Sequence, residues 1–466
     1  MKRADFLRRH HPQFFYLDYT WNLKGKNLVI AFDFSCPPNI RFAPSLIIKN
    51  VSATDIKRVG EDVLNNLVFN LGMAELLSYW KATASPEITV RTGNLTKTQI
   101  SWWHYLLEKG MGQFFYENQI DFQKSGFVKI TSMPDSKKKG RVYKKRLKDR
   151  ALIPIGGGKD GVVTLETLKK DKKQIRAFLL NPTAAQKAVL RVSKEKNPII
   201  VERTLDPRLL ALNRQGYLNG HTPFSAYLAF LGVLVATLFD YKDIVLSNER
   251  SSNEGNVEYL GQTVNHQYSK TYDFEKRFRA YSTSFLASFA NYFSFLRPLY
   301  EIQIARMFSR NSKYFSASLS CNEAHKTYSG TKKPRGTWCG VCSKCLFVFI
   351  ILSPFISEKK LVKIFGLNLF SNKKLLPILK ELTGMARFKP FECVGTEKET
   401  IAALFLARNG YAKLPYLLKY ADKEILPKYP NIKREAERIL SSWNARNALP
   451  RDYTKLLSHE AFKAQE

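Results

Sequence analysis

Between residues 152 and 247 the chain alternates short apolar runs of strand length with longer runs of helical spacing, and this alternation restricts the fold more than any other property of the sequence. Leu152-Ile153-Pro154-Ile155 reads as a buried strand and 162–170 as a helix. Gln174-Ile175-Arg176-Ala177-Phe178-Leu179-Leu180 reads as a second strand, 184–192 as a helix, and Pro198-Ile199-Ile200-Val201-Glu202 as a third strand. An apolar helix over 223–239 then leads into Asp243-Ile244-Val245-Leu246-Ser247. Strands separated by helices imply right-handed crossovers and a parallel sheet covered on both faces. Such sheets bind ligands beyond the carboxyl ends of their strands.

Ile155-Gly156-Gly157-Gly158-Lys159-Asp160-Gly161 falls at one of those ends. Gly156, Gly157 and Gly158 let the backbone approach an anion and adopt conformations closed to other residues. Their amides and the start of the next helix form a concavity for phosphate. Lys159 supplies positive charge for pyrophosphate, and Asp160 supplies the hard oxygen that magnesium favours. A Walker loop needs Gly-Lys followed by Ser or Thr, and a dinucleotide loop needs another glycine spacing, so neither fits. The segment resembles instead the pyrophosphatase (PP) loop of enzymes that cleave ATP to AMP and pyrophosphate, whose usual pattern is Ser-Gly-Gly-x-Asp-Ser. Gly156 and Gly161 stand where that pattern has serine.

At 466 residues the chain is long for one core, and two or three domains are expected. An N-terminal α+β domain would occupy 1–140, a PP-loop nucleotide-binding α/β domain 141–350, and a helical region 351–466. In the first, Asn27-Leu28-Val29-Ile30-Ala31-Phe32-Asp33-Phe34 reads as a strand ended by Cys36-Pro37-Pro38-Asn39, with helices over 55–69 and 96–109. The boundary falls in a basic run, 137–150, with Lys or Arg at nine of fourteen positions, read as a solvated linker rather than a nucleic-acid arm. The net charge of +34 gathers anionic partners: nucleic acid, an acidic membrane surface, or a substrate rich in phosphates and carboxylates. The apolar run 226–239 is shorter than the roughly 18 residues a spanning helix needs, so a buried helix is expected. No apolar stretch follows the basic start, so no export signal is read and a cytoplasmic location is expected. Cys339-Gly340-Val341-Cys342-Ser343-Lys344-Cys345 carries two overlapping C-x-x-C spacings, and Cys321 precedes it at the end of an expected strand, 314–319. Four thiolates fit a tetrahedral structural zinc, with an iron–sulfur cluster or a set of small buried residues as the alternatives.

Three further segments are too polar for a core: Asn219-Gly220-His221-Thr222-Pro223-Phe224-Ser225, 246–256, and Val264-Asn265-His266-Gln267-Tyr268-Ser269-Lys270. The second, with Ser247, Asn248 and Glu249, starts where a parallel strand should end. Near 391–396 a carboxylate, Glu392, adjoins a thiol, Cys393, which reads either as a small buried residue or as a reactive one. Together with 154–160, 320–322, 338–345 and 392–396, and more weakly with 110–115 and Asp121-Phe122, these segments resemble, in consistent order, the ATP-dependent UDP-N-acetylmuramoyl-L-alanyl-L-glutamate epimerases. The resemblance implies conversion of the terminal L-Glu of UDP-MurNAc-L-Ala-L-Glu to D-Glu in peptidoglycan precursor synthesis, with ATP going to AMP and pyrophosphate through an acyl-adenylate. It implies ATP and Mg2+ at Gly156, Gly157, Gly158, Lys159 and Asp160, with Ser247, Asn248 and Glu249 lining nucleotide or substrate. For proton transfer the candidates are His221, His266 and Cys393, because imidazole and thiol titrate nearest neutral pH. No stable nucleic-acid partner and no membrane span are expected. The rival readings are a tRNA- or nucleobase-modifying enzyme using the same loop, and a basic binding protein without activity.

Overall fold

Alternating burial along each strand divides the interior into two cores, one on each face of a single large sheet. Leu152, Phe178, Ile244 and Tyr292 pack into one core, whereas their neighbours Ile153, Leu179, Val245 and Phe293 pack into the other. This is the period-two consequence of a pleated strand buried on both sides. The structure, a computed structural model, describes residues 2–133, 140–171, 173–325 and 336–463.

The strands are β1 (Gln13–Lys24), β2 (Asn27–Cys36), β3 (Ile40–Phe42), β4 (Ser45–Lys49), β5 (Glu87–Val90), β6 (Lys129–Ser132), β7 (Ala151–Pro154), β8 (Ile175–Leu180), β9 (Ile199–Thr204), β10 (Asp243–Leu246), β11 (Val257–Tyr259), β12 (Gln262–Val264) and β13 (Asn291–Ser294). Eleven of them form one mixed sheet in the order β13-β10-β7-β8-β9-β4-β2-β1-β5-β6, with β3 added beside β2, while β11 and β12 make a separate hairpin. The five strands from β13 to β9 are mutually parallel. An antiparallel pairing of β4 with β9 joins them to the N-terminal strands. The chain is therefore of mixed α/β class with a mainly parallel sheet, and the segments on either side of residue 140 contribute to the same sheet.

The helices divide between the faces. Glu61–Trp80, Phe224–Phe239 and Tyr272–Phe285 bury their apolar residues in the first core. Lys159–Leu168, Ala184–Ser193, Glu301–Ser309, Ser343–Leu352 and Glu397–Ala407 cover the second. The helix Glu61–Trp80 lies so close to β1 that a Cβ at Gly72 would fall 1.9 Å from the Tyr16 hydroxyl, so only glycine fits there. Among the described residues no helix is long and apolar enough to cross a membrane, and Phe224–Phe239 is a buried helix.

Three expectations need correction. The helix read over 55–69 is two, Ala53–Val59 and Glu61–Trp80, broken at Gly60 with φ of 90°. The strand expected over 314–319 is instead a 3-10 turn, Ser312–Tyr314, followed by an irregular segment, which Leu319 ties to the glycine loop by donating its N–H to the Gly157 carbonyl at 2.9 Å. Its apolar residues pack against helices rather than a neighbouring strand. The described part of the basic run, from 140, is anchored rather than free. Tyr143 is buried and its N–H bonds the Leu286 carbonyl at 2.8 Å, and Arg150 donates to the carbonyls of Phe239 and Asp240. Residues 137–139 lie outside the described residues.

One buried ion pair links the two halves. Arg203 on β9 forks the carboxylate of Glu75, 1% exposed on the helix Glu61–Trp80, with contacts of 2.8 Å from both Nε and Nη2, and also reaches the Ser78 hydroxyl at 3.0 Å. Arg203→Met strands that carboxylate and is expected to destabilise the fold by about 3 kcal/mol. Urea denaturation followed by circular dichroism checks this, and a double variant with Glu75→Gln should recover most of the loss.

Candidate active site

The parallel strands run spatially β9-β8-β7-β10-β13, so successive connections leave β7 toward one side for β8 and β9, and toward the other for β10 and β13. A crevice opens at such a reversal, between the carboxyl ends of β7 and β10. The glycine loop leaves β7 and the segment Ser247-Asn248-Glu249 leaves β10, so topology brings the two together. Gly157 takes φ of 84°, and a Cβ there would sit 3.1 Å from the Gln186 amide. The Gln186 side chain donates to the Ile155 carbonyl at 2.6 Å, fixing the loop from behind. The helix Lys159–Leu168 begins at the loop, with its first amides outside any intrahelical bond. At Gly161 a Cβ would make only ordinary contacts, the nearest at 3.6 Å, so packing does not demand glycine there.

The crevice is a cleft of about 420 Å³ lined by Gly156, Gly158, Asp160, Ser247, Asn248, Glu249, Lys270, Glu301, Lys344 and Cys393 among others. Asp160, Glu249 and Glu301 each offer a carboxylate oxygen within 4.8 Å of the others, a hard oxygen set of the kind that suits Mg2+. Lys159, 3% exposed, turns its ammonium onto Asp160 and Glu301 rather than into open space. Burial pushes this ammonium toward its neutral form, against the pull of Asp160. The cations that line the cleft are Lys270 and Lys344, the latter 3.6 Å from Glu301. The Ser247 hydroxyl is buried without a partner among the described residues, whereas Asn248 donates to the Ser294 hydroxyl at 3.1 Å.

His221, His266 and Cys393, distant in sequence, come together beside the cleft. The two imidazoles lie 4.4 Å apart between ring centroids, and His266 favours the ionised form of the Cys393 thiol. Lys270 donates to the Cys393 sulfur at 3.2 Å. Burial alone would push that thiol up, but Lys270, His266 and Lys344 outweigh it and bring it down to about 5. His221 is pushed well below the ordinary imidazole range by burial and then by His266, Lys81 and Lys270, so it is neutral at pH 7. His266 Nδ1 meets the Gln113 side-chain oxygen at 2.5 Å, and Gln113 donates its amide to Glu117 at 2.7 Å. A carboxylate only accepts, so Glu117 turns the Gln113 oxygen toward His266 and fixes the proton on Nδ1. Of the three candidates only Cys393 lines the cleft itself.

Sequence reasoning missed Lys270, Lys344, Glu301, Gln113 and Arg297 as site residues. Lys270 closes one of the polar segments and Lys344 sits inside the cysteine motif, so both were visible as part of unusual stretches. Nothing local marks Glu301 or Arg297. The four cysteines also meet: their sulfurs lie within 4.8 Å of one another, with Cys321 4.0 Å from Cys342 and Cys339 3.7 Å from Cys345. Four thiols in one cluster are the donor set that tetrahedral zinc takes.

The thiol chemistry is directly testable. Alkylation of Cys393 by iodoacetamide, followed by peptide mass spectrometry, should be near maximal at pH 7 and fall through a midpoint near 5 as the thiolate protonates. Lys270→Met removes the main counter-charge, so the midpoint should move upward and alkylation at pH 7 should slow.

Comparison with known proteins identifies relatives of the chain. The profile described as the MurL N-terminal domain matches residues 5–295, and that of the MurL C-terminal domain matches 317–425. A protein of Micromonospora sp. named UDP-N-acetyl-alpha-D-muramoyl-L-alanyl-L-glutamate epimerase is 34% identical over 334 residues, 71% of this chain and 72% of that protein. Proteins of the same name from Salinispora tropica and Xanthomonas oryzae pv. oryzae are 33% and 32% identical, over 74% and 75% of this chain and 74% and 76% of theirs. No solved structure matches the chain. With more than half its length matched by one profile and relatives above 30% identity over most of both chains, this protein belongs to the MurL family.

Proposed function

We propose that this chain is an ATP-dependent epimerase that inverts the terminal L-glutamate of UDP-MurNAc-L-Ala-L-Glu in peptidoglycan precursor synthesis, on a PP-loop core. The observation that carries the reading is that one cleft joins the glycine loop after β7 to the thiol of Cys393. The names borne by its relatives support the substrate. A free carboxylate holds its α-proton tightly, because removal would pile a second negative charge beside the first. Transfer of AMP to the carboxylate removes that charge and lets the carbanion spread into the carbonyl as an enolate. Proton removal on one face, return on the other and hydrolysis then give D-Glu, AMP and pyrophosphate.

In this reading the amides of Gly156, Gly157 and Gly158 and the helix start take the triphosphate. Lys159 holds Asp160 and Glu301 in place, and these with Glu249 would hold Mg2+, which supplies charge neutralisation for the leaving pyrophosphate. Lys270 and Lys344 face the acyl phosphate, and Ser247 and Asn248 line nucleotide or substrate. His221, His266 and Cys393 manage the acyl group and its α-proton. The Cys321, Cys339, Cys342 and Cys345 cluster holds zinc, bracing the segment that carries Lys344; four protein ligands leave the ion no open position.

Two experiments test this. With ATP, Mg2+ and UDP-MurNAc-L-Ala-L-Glu the protein should release AMP and yield D-Glu, measured by nucleotide chromatography and chiral analysis. Asp160→Asn should lower the rate by about 100-fold, on the scale of losing one preorganised charge at a reacting group. AMP release stimulated by RNA but not by the muramoyl dipeptide would replace the reading with nucleic-acid modification. Elemental mass spectrometry of purified protein should find zinc at about one per chain, and Cys342→Ser should lose it along with thermal stability.

A further inference from the structure

We propose that Cys393 accepts the acyl group from the adenylate, so that the glutamyl α-carbon is inverted while held as a thioester on this residue. The inference deepens the adenylating-epimerase reading and rests on it.

Geometry assigns the thiol to the acyl group rather than to the α-proton. Of the three proton-transfer candidates, Cys393 alone lines the cleft that contains the glycine loop. Its surroundings hold it in place and keep it anionic. Lys270 donates to its sulfur at 3.2 Å, the Lys344 ammonium binds its carbonyl, and the Lys344 amide donates to the neighbouring Glu392 carboxylate at 2.6 Å. The buried Ser247 hydroxyl, without a partner among the described residues, lines the same cleft and marks a place where a polar ligand completes the bonding. A thiol brought down to about 5 is ionised at neutral pH and is a strong nucleophile. It is also a weak base, poorly matched to removing a proton from carbon near pH 7.

The step balances. The sulfur attacks the acyl carbon, a C–S bond forms, the C–O bond to AMP breaks, and AMP leaves with that electron pair. Sulfur donates into a carbonyl less than oxygen does, so the α-proton of the thioester is more acidic than that of an ester. The α-carbon then lies two bonds from the sulfur and beside the His266 imidazole, whose Nδ1 is engaged by the Gln113 oxygen and whose Nε2 is left to exchange the proton. Water attacks the thioester, a C–O bond forms and the C–S bond breaks, and the carboxylate and the thiolate are released as the two protons of the water pass to solvent.

The full-length protein, Cys393→Ala and the nearly isosteric Cys393→Ser distinguish the roles. Each is assayed with ATP, Mg2+ and UDP-MurNAc-L-Ala-L-Glu for ATP–pyrophosphate exchange, AMP release and glutamate chirality. Both variants should keep exchange within about threefold of wild type, lose AMP release by about 100-fold or more, and form no D-Glu. Acid-quenched wild type should carry the substrate mass, less one water, on the peptide containing Cys393. Variants that release AMP at the wild-type rate while returning L-Glu overturn the thioester and leave the thiol a proton carrier. Absence of the adduct from quenched wild type overturns it as well. A wild type without exchange refutes adenylation itself, a separate failure.

Discussion

The guanidinium of Arg297, wholly buried just beyond β13, holds the site's irregular backbone in place. It donates to the carbonyl of Glu249 at 2.6 Å and the hydroxyl of Ser252 at 2.9 Å from one nitrogen. From another it reaches the carbonyl of Lys270, the Glu275 carboxylate at 3.2 Å and the Ser294 hydroxyl at 3.2 Å. Buried loops lack the ladder that satisfies a strand, so their carbonyls need donors from elsewhere. A planar cation with five N–H groups supplies several at once, and Glu275 balances its charge. Glu249 and Lys270, which define opposite chemical characters within the cleft, are thereby fixed relative to each other through their own backbones.

That rigidity matters because the cleft is crowded with charge. Asp160, Glu249 and Glu301 crowd against Lys159, Lys270 and Lys344, and the Cys393 thiol sits against Lys270. Groups as buried as Lys159, Glu249 and Glu301 depend on neighbours of opposite sign. The groups of the cleft are thus already oriented, which is the arrangement that stabilises developing charge without reorganisation. The +34 of the whole chain acts at longer range, drawing in anions that this nearly balanced interior then sorts.

Much of the parallel half was legible because its signals are local. Each strand of β7 to β10 is a short apolar run, each crossover has helical spacing, and a glycine run after a buried strand marks a loop whatever it binds. The break at Gly60 was equally local, yet the apolar spacing of 55–69 ran across it and merged two helices into one. Residues 314–319 misled for the opposite reason: their apolar alternation matched a strand, but the Leu319 N–H is taken by the glycine loop rather than by a strand. The polar segments announced a site by density alone. Their partners did not, since nothing in the sequence says that Gln113 reaches His266 or that Lys159 is turned onto Glu301, 142 residues away. Such pairings follow from the sheet order, which periodicity does not encode.

The sheet order also explains why the site draws on both ends of the chain. Because β4 pairs with β9, the N-terminal strands extend the parallel sheet rather than forming a separate body. The short helix Gly112–Glu117, between β5 and β6, thereby presents Gln113 to His266 beside the cleft. From the other direction, the segment before the helix Glu397–Ala407 delivers Cys393, and Glu399 in that helix accepts from Ser251 and from the Ile302 amide at 3.0 Å. The glycine loop is thus built within one crossover, but the groups beside it arrive from more than 270 residues of chain, counting from Gln113 to Cys393. A loop alone can bind phosphate. Here the Cys393 thiol and the His266 imidazole are held beside the loop at fixed positions, and the joined sheet brings them there.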